Sequence, residues 1–376
     1  MTSSPAPQLI EHDDALNQLV ERLGPLPAFA LDTEFVRERT YYPAFCLLQI
    51  ATDDLVACVD PLRLRSLEPL RALLMDPRIV KVVHSGRQDM EVLLRYFGQL
   101  PRNLCDTQMA AGLAGHAEQC GYASLVERLF GHRLPKTHTR TDWSRRPLSP
   151  EQIQYAGEDV AYLLPAYRRL ETELSEQGRW DWVRQDSEAL LDPGLYDMSP
   201  ELAWKRVASA QPLTGAALVR FKALATWRER SAQRLDIPRN WILRDETLHE
   251  LTLSRQGKDA ELPRARGIGN AAQQQLLKEL RVVLADHPCP PLEVPLSNWP
   301  RPDPAQKALM AKMTGEVRRI AEQLGIAPAL LASRRDLEQL LENPASSRLL
   351  KGWRHEIVGL PLRRIVGNTA TETGHG

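Results

Sequence analysis

The sequence has no apolar run near the ~20 residues that a bilayer-spanning helix requires, so no transmembrane segment is expected. Its first residues, Met1-Thr2-Ser3-Ser4-Pro5-Ala6-Pro7, carry neither the basic n-region nor the apolar h-region of a secretory leader, which points to a cytoplasmic chain. Cysteine is sparse: Cys46, Cys58, Cys105, Cys120 and Cys289 are scattered and form no Cys-x-x-Cys pair. That spacing excludes a disulfide framework and a thiolate zinc site, and leaves reduced core residues. Net charge is also missing, because 48 basic residues balance 48 acidic ones. A polyanion-binding role is therefore invisible in the overall charge and would need positive charge concentrated locally. The local candidates are Lys136-Thr137-His138-Thr139-Arg140, Arg145-Arg146 and Arg264-Ala265-Arg266-Gly267, each of which also reads as a solvated loop. What is present is a 376-residue chain of ordinary globular composition, longer than one core usually covers, so two or three domains are expected.

Three acidic motifs stand out. Leu31-Asp32-Thr33-Glu34-Phe35 follows the apolar run Phe29-Ala30-Leu31. Side chains two apart in a strand share a face, so Asp32 and Glu34 would present two hard oxygen ligands together. In Val82-Val83-His84-Ser85-Gly86-Arg87-Gln88-Asp89, Gly86 breaks a β-branched run ahead of a helical pattern over Met90, Val92, Leu93, Leu94 and Phe97. Asp89 then sits in a first helical turn, where it also suits the helix dipole without any further role. Ser149-Pro150-Glu151-Gln152 reads as a helix start with a partial capping box. Tyr155 and Asp159 then share one helix face. A phenol and a carboxylate so placed could orient a water and bind a metal, although a half-buried stripe with Tyr162 and Leu163 would look the same.

Taken together and in this order, the three motifs resemble the DEDD exonuclease superfamily in its DEDDy branch. Gln49-Ile50-Ala51, Asp106-Thr107-Gln108 and Arg140-Thr141-Asp142-Trp143-Ser144-Arg145-Arg146-Pro147-Leu148-Ser149 narrow the resemblance to ribonuclease D, at motif level from about Phe29 to Leu170. The resemblance implies a metal-dependent 3′→5′ exoribonuclease. It would trim tRNA precursors from a single-stranded 3′ end, release nucleoside 5′-monophosphates and act as a monomer. It implies two divalent cations, Mg2+ or Mn2+. Asp32 would bridge both, Glu34 and Asp159 would complete the site of one, and Asp89 would hold the other mostly through water. Tyr155 would orient the attacking water, since a phenol with a reference pKa near ~10 is a poor base at neutral pH.

Other roles follow from the same resemblance. Thr33, Phe35 and Gln49 are expected near the 3′-terminal ribose and Gln108 near the substrate, with Arg140, Arg145 and Arg146 at phosphates. His84 is carried among the substrate-side residues, although its place just past a strand end reads more readily as structural. Asp106 reads as a helix cap, and Trp143 as packing beneath a helix start. Gly157-Glu158 and Leu134-Pro135-Lys136-Thr137-His138 depart from the family pattern, but neither falls on an expected ligand.

Strand signals over 28–31, 45–51, 55–59 and 79–83, with a helix over 67–75, predict a mixed sheet flanked by helices. That agrees with the ribonuclease-H-like α/β exonuclease domain implied by the resemblance, expected over residues 1–180. The remainder reads as all-α. Residues 210–288 resemble an HRDC domain, 289–302 form a proline-rich linker, and 303–367 look like a degenerate second HRDC-like copy. Residues 368–376 are expected to be a disordered tail. Two rival readings remain at this point. A Werner-like or proofreading-type 3′→5′ DNA exonuclease would share all five catalytic residues, and a non-catalytic RNA-binding module would be expected to have lost one.

Overall fold

The computed structural model describes residues 5–134, 141–196, 199–207, 213–254, 264–288 and 304–372. The linker expected at 289–302 and Arg140 lie outside the described residues. The described residues fall into two compact units, one drawn from Met1–Phe35, Phe45–Leu195 and Pro302–Gly376, the other from Val36–Ala44 and Tyr196–Arg301.

The first unit is built on a six-stranded mixed sheet. Its strands are β1 (Gln8–Ile10), β2 (Ala28–Val36), β3 (Ala44–Ala51), β4 (Val56–Val59), β5 (Val80–Val83) and β6 (Leu104–Asp106), in the spatial order β1-β4-β3-β2-β5-β6. β5 runs parallel to both β2 and β6, β1 runs parallel to β4, and β3 pairs antiparallel with β4. Phe29, Ala30 and Leu31 are all fully buried, which explains why β2 reads as a continuous apolar run and not as an alternation. The sequence reading did not include β1 and β6, because three residues are too few to show a period of two. It also did not include α1 (Asp13–Leu23), whose buried Leu16, Leu19 and Leu23 do have helical spacing.

Helices α2 (Glu68–Met75), α3 (Arg87–Phe97), α4 (Thr107–Leu113), α5 (Tyr122–Phe130), α6 (Pro150–Ala161), α7 (Leu163–Glu176) and α8 (Trp180–Ala189) complete this part. Val160, Leu163 and Leu164 of α6 and α7 close over Ala30, Ala51, Val56 and Val82 of the sheet. The last helices belong to the same unit. They are α13 (Pro304–Leu324), α14 (Pro328–Leu331), α15 (Arg334–Glu342), α16 (Gly352–Arg354) and α17 (Leu360–Glu372). Met313, Val317 and Ile320 of α13 and Leu362 of α17 share one core with Cys105, Ala110, Leu129, Leu170 and Val183. α17 runs on past residue 368, where a tail was expected, because no glycine or proline interrupts Asn368-Thr369-Ala370-Thr371-Glu372.

The second unit is helical, with α9 (Gly215–Leu235), α10 (Arg239–Ile242), α11 (Asp245–Leu253) and α12 (Asn270–Asp286) around Phe221, Leu224, Leu248, Leu276 and Leu280. Residues 36–44, which follow β2 in the chain, are pinned to α9. The Tyr41 hydroxyl donates to Glu229 Oε1 at 2.5 Å, and the Tyr41 and Tyr42 backbone amides donate to Asp236 Oδ1 at 3.1 and 3.0 Å.

Candidate active site

The three parallel strands β2, β5 and β6 deliver polar groups at or just past their C-terminal ends, the usual place for a ligand site beside such strands. β2 presents Asp32 and Glu34. The turn after β5 holds Ser85 in the left-handed region at φ 60° and starts α3, which carries Asp89 in its first turn. Asp106, at the end of β6, fixes that turn. Its carboxylate accepts from Ser85 N and Gly86 N at 2.9 Å each, and from Gln108 N at 2.8 Å as the cap of α4. The expected capping role of Asp106 is what the structure shows, extended to the neighbouring turn.

The third element is α6. Ser149 Oγ accepts from Gln152 N at 3.2 Å, and Gln152 Oε1 accepts from Ser149 N at 2.9 Å, so the capping box is complete. That start sets the phase of the helix, and Tyr155 and Asp159 turn toward the sheet and hydrogen-bond to each other. Asp32, Glu34, Asp89, Tyr155 and Asp159 all line one pocket of about 400 Å3, together with Thr33 and Phe35.

The electrostatics of this pocket are those of crowded acids. Burial, followed by the charges of Asp89, Asp159 and Glu34, holds the Asp32 carboxyl well above the usual carboxylate range. Burial and the charges of Asp159 and Asp89 push Glu34 up to about 8. Asp159 is raised to about 7, mainly by burial against the Tyr155 hydrogen bond, and Asp89 to about 6, again by burial. Asp89 is the most firmly held of the four: Thr33 donates to its Oδ1 from both backbone N, at 3.0 Å, and Oγ1, at 2.5 Å. Burial and the carboxylates around it raise the Tyr155 phenol further above its ordinary value, so it is no base near neutrality.

Among the described residues no three acid, cysteine or histidine side chains are already drawn into a closed cation cage. The donor set nevertheless fits a hard divalent cation. Burial raises all four carboxylates, repulsion among them adds to it at Asp32 and Glu34, and bound positive charge would relieve both. Asp32, Glu34, Asp89 and Asp159 are the residues that would hold it.

The structure brings only some of the expected substrate residues here. Thr33 and Phe35 line the pocket, but the Thr33 hydroxyl is spent on Asp89. His84 lines it as well, yet both ring nitrogens are engaged, Nδ1 with Thr107 Oγ1 at 2.9 Å and Nε2 with Cys120 O at 2.8 Å. A carbonyl only accepts, so Nε2 carries a proton, and burial lowers the pKa of the ring. This is a structural histidine.

Three expectations need correction. Gln49 is fully buried in β3 opposite Cys58 and does not reach the pocket. Gln108 turns inward, its Nε2 donating to Cys120 O at 3.3 Å. Arg146 is not available to a phosphate: it forks onto Asp60 at 2.5 and 2.8 Å and also donates to the carbonyls of Cys46, Trp143 and Arg145. Arg145 is exposed, lies outside the pocket and pairs with Asp142 at 3.1 Å. Trp143 is buried and stacks on Tyr155, ring centroids 6.2 Å apart, as packing under the helix start requires.

Four lining residues were missed, Ser85, Gln88, Tyr122 and Leu163. Tyr122, at the start of α5, donates from its hydroxyl to Glu158 O and accepts from Tyr162 N, both at 3.0 Å. It staples α5 to the end of α6. No local motif marks it, because its partners come from a helix far along the chain.

A mixed sheet that gathers four carboxylates and a tyrosine in this way defines a metal-dependent 3′→5′ exonuclease of the DEDDy kind. Comparison with known proteins agrees. The family model described as 3'-5' exonuclease matches residues 7–175, that of the HRDC domain 217–283, and that of the ribonuclease D C-terminal HRDC domain 304–362. Ribonuclease D of Gluconacetobacter diazotrophicus is 41% identical over 366 residues, covering 94% of this chain and 91% of its own. Ribonuclease D of Escherichia coli is 36% identical over 372 residues, covering 96% and 98%. The crystal structure of E. coli RNase D, described as an exoribonuclease involved in structured RNA processing, matches with a TM-score of 0.84 at 34% identity over 96% of this chain and 98% of that one. The chain belongs to the ribonuclease D family and is a divalent-metal-dependent 3′→5′ exoribonuclease.

Proposed function

We propose that this enzyme shortens the single-stranded 3′ tails of tRNA precursors, working as a cytoplasmic monomer with two Mg2+ or Mn2+ ions. The observation that carries the reading is the convergence of Asp32, Glu34, Asp89 and Asp159 on one pocket, with Tyr155 bonded to Asp159 at its wall. In each turnover a water oxygen bonds to the last phosphorus and the P–O3′ bond breaks. The departing O3′ takes a proton, so a nucleoside 5′-monophosphate leaves and the RNA keeps a new 3′-hydroxyl. Divalent ions in such a pair make water acidic and neutralise charge on the phosphate and leaving oxygen.

The residues contribute as follows. Asp32, which feels the other three carboxylates, is central to the cation site, and Glu34 and Asp159 flank it. Thr33 keeps Asp89 in one orientation. Tyr155, with its proton firmly held, positions the water and leaves its deprotonation to other groups. Phe35 on the pocket wall is the candidate surface for the terminal nucleotide. Buried Cys46, Cys58, Cys105 and Cys120 form no disulfide among the described residues, which suits a reducing compartment.

The test is digestion of a 3′-extended tRNA precursor with Mg2+ or Mn2+, beside single-stranded DNA, chelator and an Asp32→Ala control. Stepwise 3′ shortening of the RNA, absent in chelator and in the variant, is the expected result. Preferential loss of DNA would remove the tRNA assignment and leave the chemistry. Binding without cleavage under either metal would overturn the catalytic roles.

A further inference from the structure

An enzyme of zero net charge that handles a polyanion must concentrate positive charge somewhere, and of the expected places the Arg145-Arg146 pair does not supply it. Arg146 is committed to Asp60 and Arg145 to Asp142. The second unit holds an alternative. A cleft of about 430 Å3 there is lined by Arg37, Arg206, Arg239, Asn240, Tyr41 and Glu229 among others.

Glu229 is the one acid of this lining, against three guanidinium groups, and its Oε1 is already engaged. It is 1% exposed, and its Oε1 accepts from Tyr41 Oη at 2.5 Å and from Arg206 Nη2 at 2.7 Å. Glu229 therefore tethers Arg206 and leaves the cleft positive. Arg37 is braced by the bond from its Nε to Tyr41 O at 3.1 Å. Arg239 is half-buried and its side chain makes no hydrogen bond or ion pair among the described residues, and the side chain of exposed Asn240 beside it is equally uncommitted among them. Arg266 N donates to Trp241 O at 2.8 Å, which brings the basic run of Arg264 and Arg266, both exposed, alongside the same short helix.

We propose that this cleft is a phosphate subsite that grips the sugar–phosphate backbone of single-stranded RNA, with Arg239 as its uncommitted donor and Arg37 and Arg206 as its braced ones. The choice of RNA as the polyanion rests on the exoribonuclease reading; the charge of the cleft does not. Guanidinium forks match phosphate oxygens two at a time. Backbone contacts carry no sequence information, which suits an enzyme that must accept whatever base comes next.

The experiment is fluorescence anisotropy of a labelled single-stranded oligoribonucleotide on the full chain in chelator, repeated across a salt series. Arg239→Gln should weaken binding several-fold and lower the slope of log affinity against log salt by about one. Asn240→Asp, which adds a negative charge to the cleft, should weaken it too. Arg319→Gln makes the same charge change on α13, where Arg319 is paired with Glu316 at 2.6 Å, and should leave the affinity unchanged. Wild-type affinity and slope in both cleft variants would overturn the proposal. Equal displacement of the RNA by polyglutamate would overturn it in favour of an acidic peptide. Because turnover is not read, a wild-type chain that binds but never cleaves RNA defeats the proposed function and leaves the cleft standing.

Discussion

At the residue scale the site is a problem of shared charge. Glu34, Asp159 and Asp89 have folded-state values of about 8, 7 and 6, raised above the ~4 of an unfolded carboxylate. Between those limits the metal-free folded chain holds protons that the unfolded chain has released, so its stability falls as pH rises. That contribution is complete below about pH 4 and is lost by about pH 8. In chelator, the melting temperature of the wild type should therefore drop more from pH 5 to pH 9 than that of Glu34→Gln, and saturating Mg2+ should shrink the drop. Equal drops in both chains would show that the acids are not crowded. Tyr155→Phe keeps the ring on Trp143 and loses only the hydroxyl. We expect turnover to fall about a hundredfold with little change in melting temperature, because a positioning contact is lost and packing is not.

At the element scale, short-range signals position the chemistry. The capping box at Ser149, legible in the sequence as a partial one, sets where α6 begins and hence which residues face the sheet. Ser149→Ala should cost about 1 kcal/mol of stability in urea melts. It should also lower turnover, because the same turn aims Tyr155 and Asp159. An unchanged unfolding midpoint would mean that Pro150 and Gln152 start the helix alone. The departure at Gly157 has a local explanation: a Cβ there would lie 2.3 Å from Pro7 Cγ and 2.8 Å from Pro7 Cβ. Glycine is needed because the segment leading into β1 crosses α6 at that point. β1 itself could not be read from three residues, so neither could this constraint.

At the scale of the whole molecule, the C-terminal helices are part of the nuclease core. Trp353 stacks on Trp182 of α8 with centroids 4.4 Å apart, and Arg354 forks onto Asp186 of the same helix at 2.5 and 2.8 Å. Trp353→Ala should cost about 3–5 kcal/mol, seen as a lower urea midpoint. The loss should also speed thiol labelling of Cys105, which lies in the core that both parts share. Unchanged protection of Cys105 would mean that the two parts open independently. The expectation of a separate terminal HRDC-like copy did not anticipate a common core, since amphipathic helices show that they bury a face and not against what.

The amino-acid sequence by itself determined the four carboxylates and the tyrosine that meet in the pocket, the strand and helix that carry each, and the cap that phases α6. Those signals are local, set by periods of two and 3.6 residues and by breakers within a few positions. Tertiary structure alone decided which polar side chains remained free to act. Arg146 and Asp60 lie 86 positions apart, and Tyr122 and Glu158 lie 36 apart. Gln49 sits on a strand flanked on both sides, and Arg239 shares its cleft with Arg37, which lies far earlier in the chain. A buried charge or amide takes its partner from whatever the fold brings to it, and the Gln49 side chain finds none among the described residues. No residue's own neighbours in sequence reveal that partner.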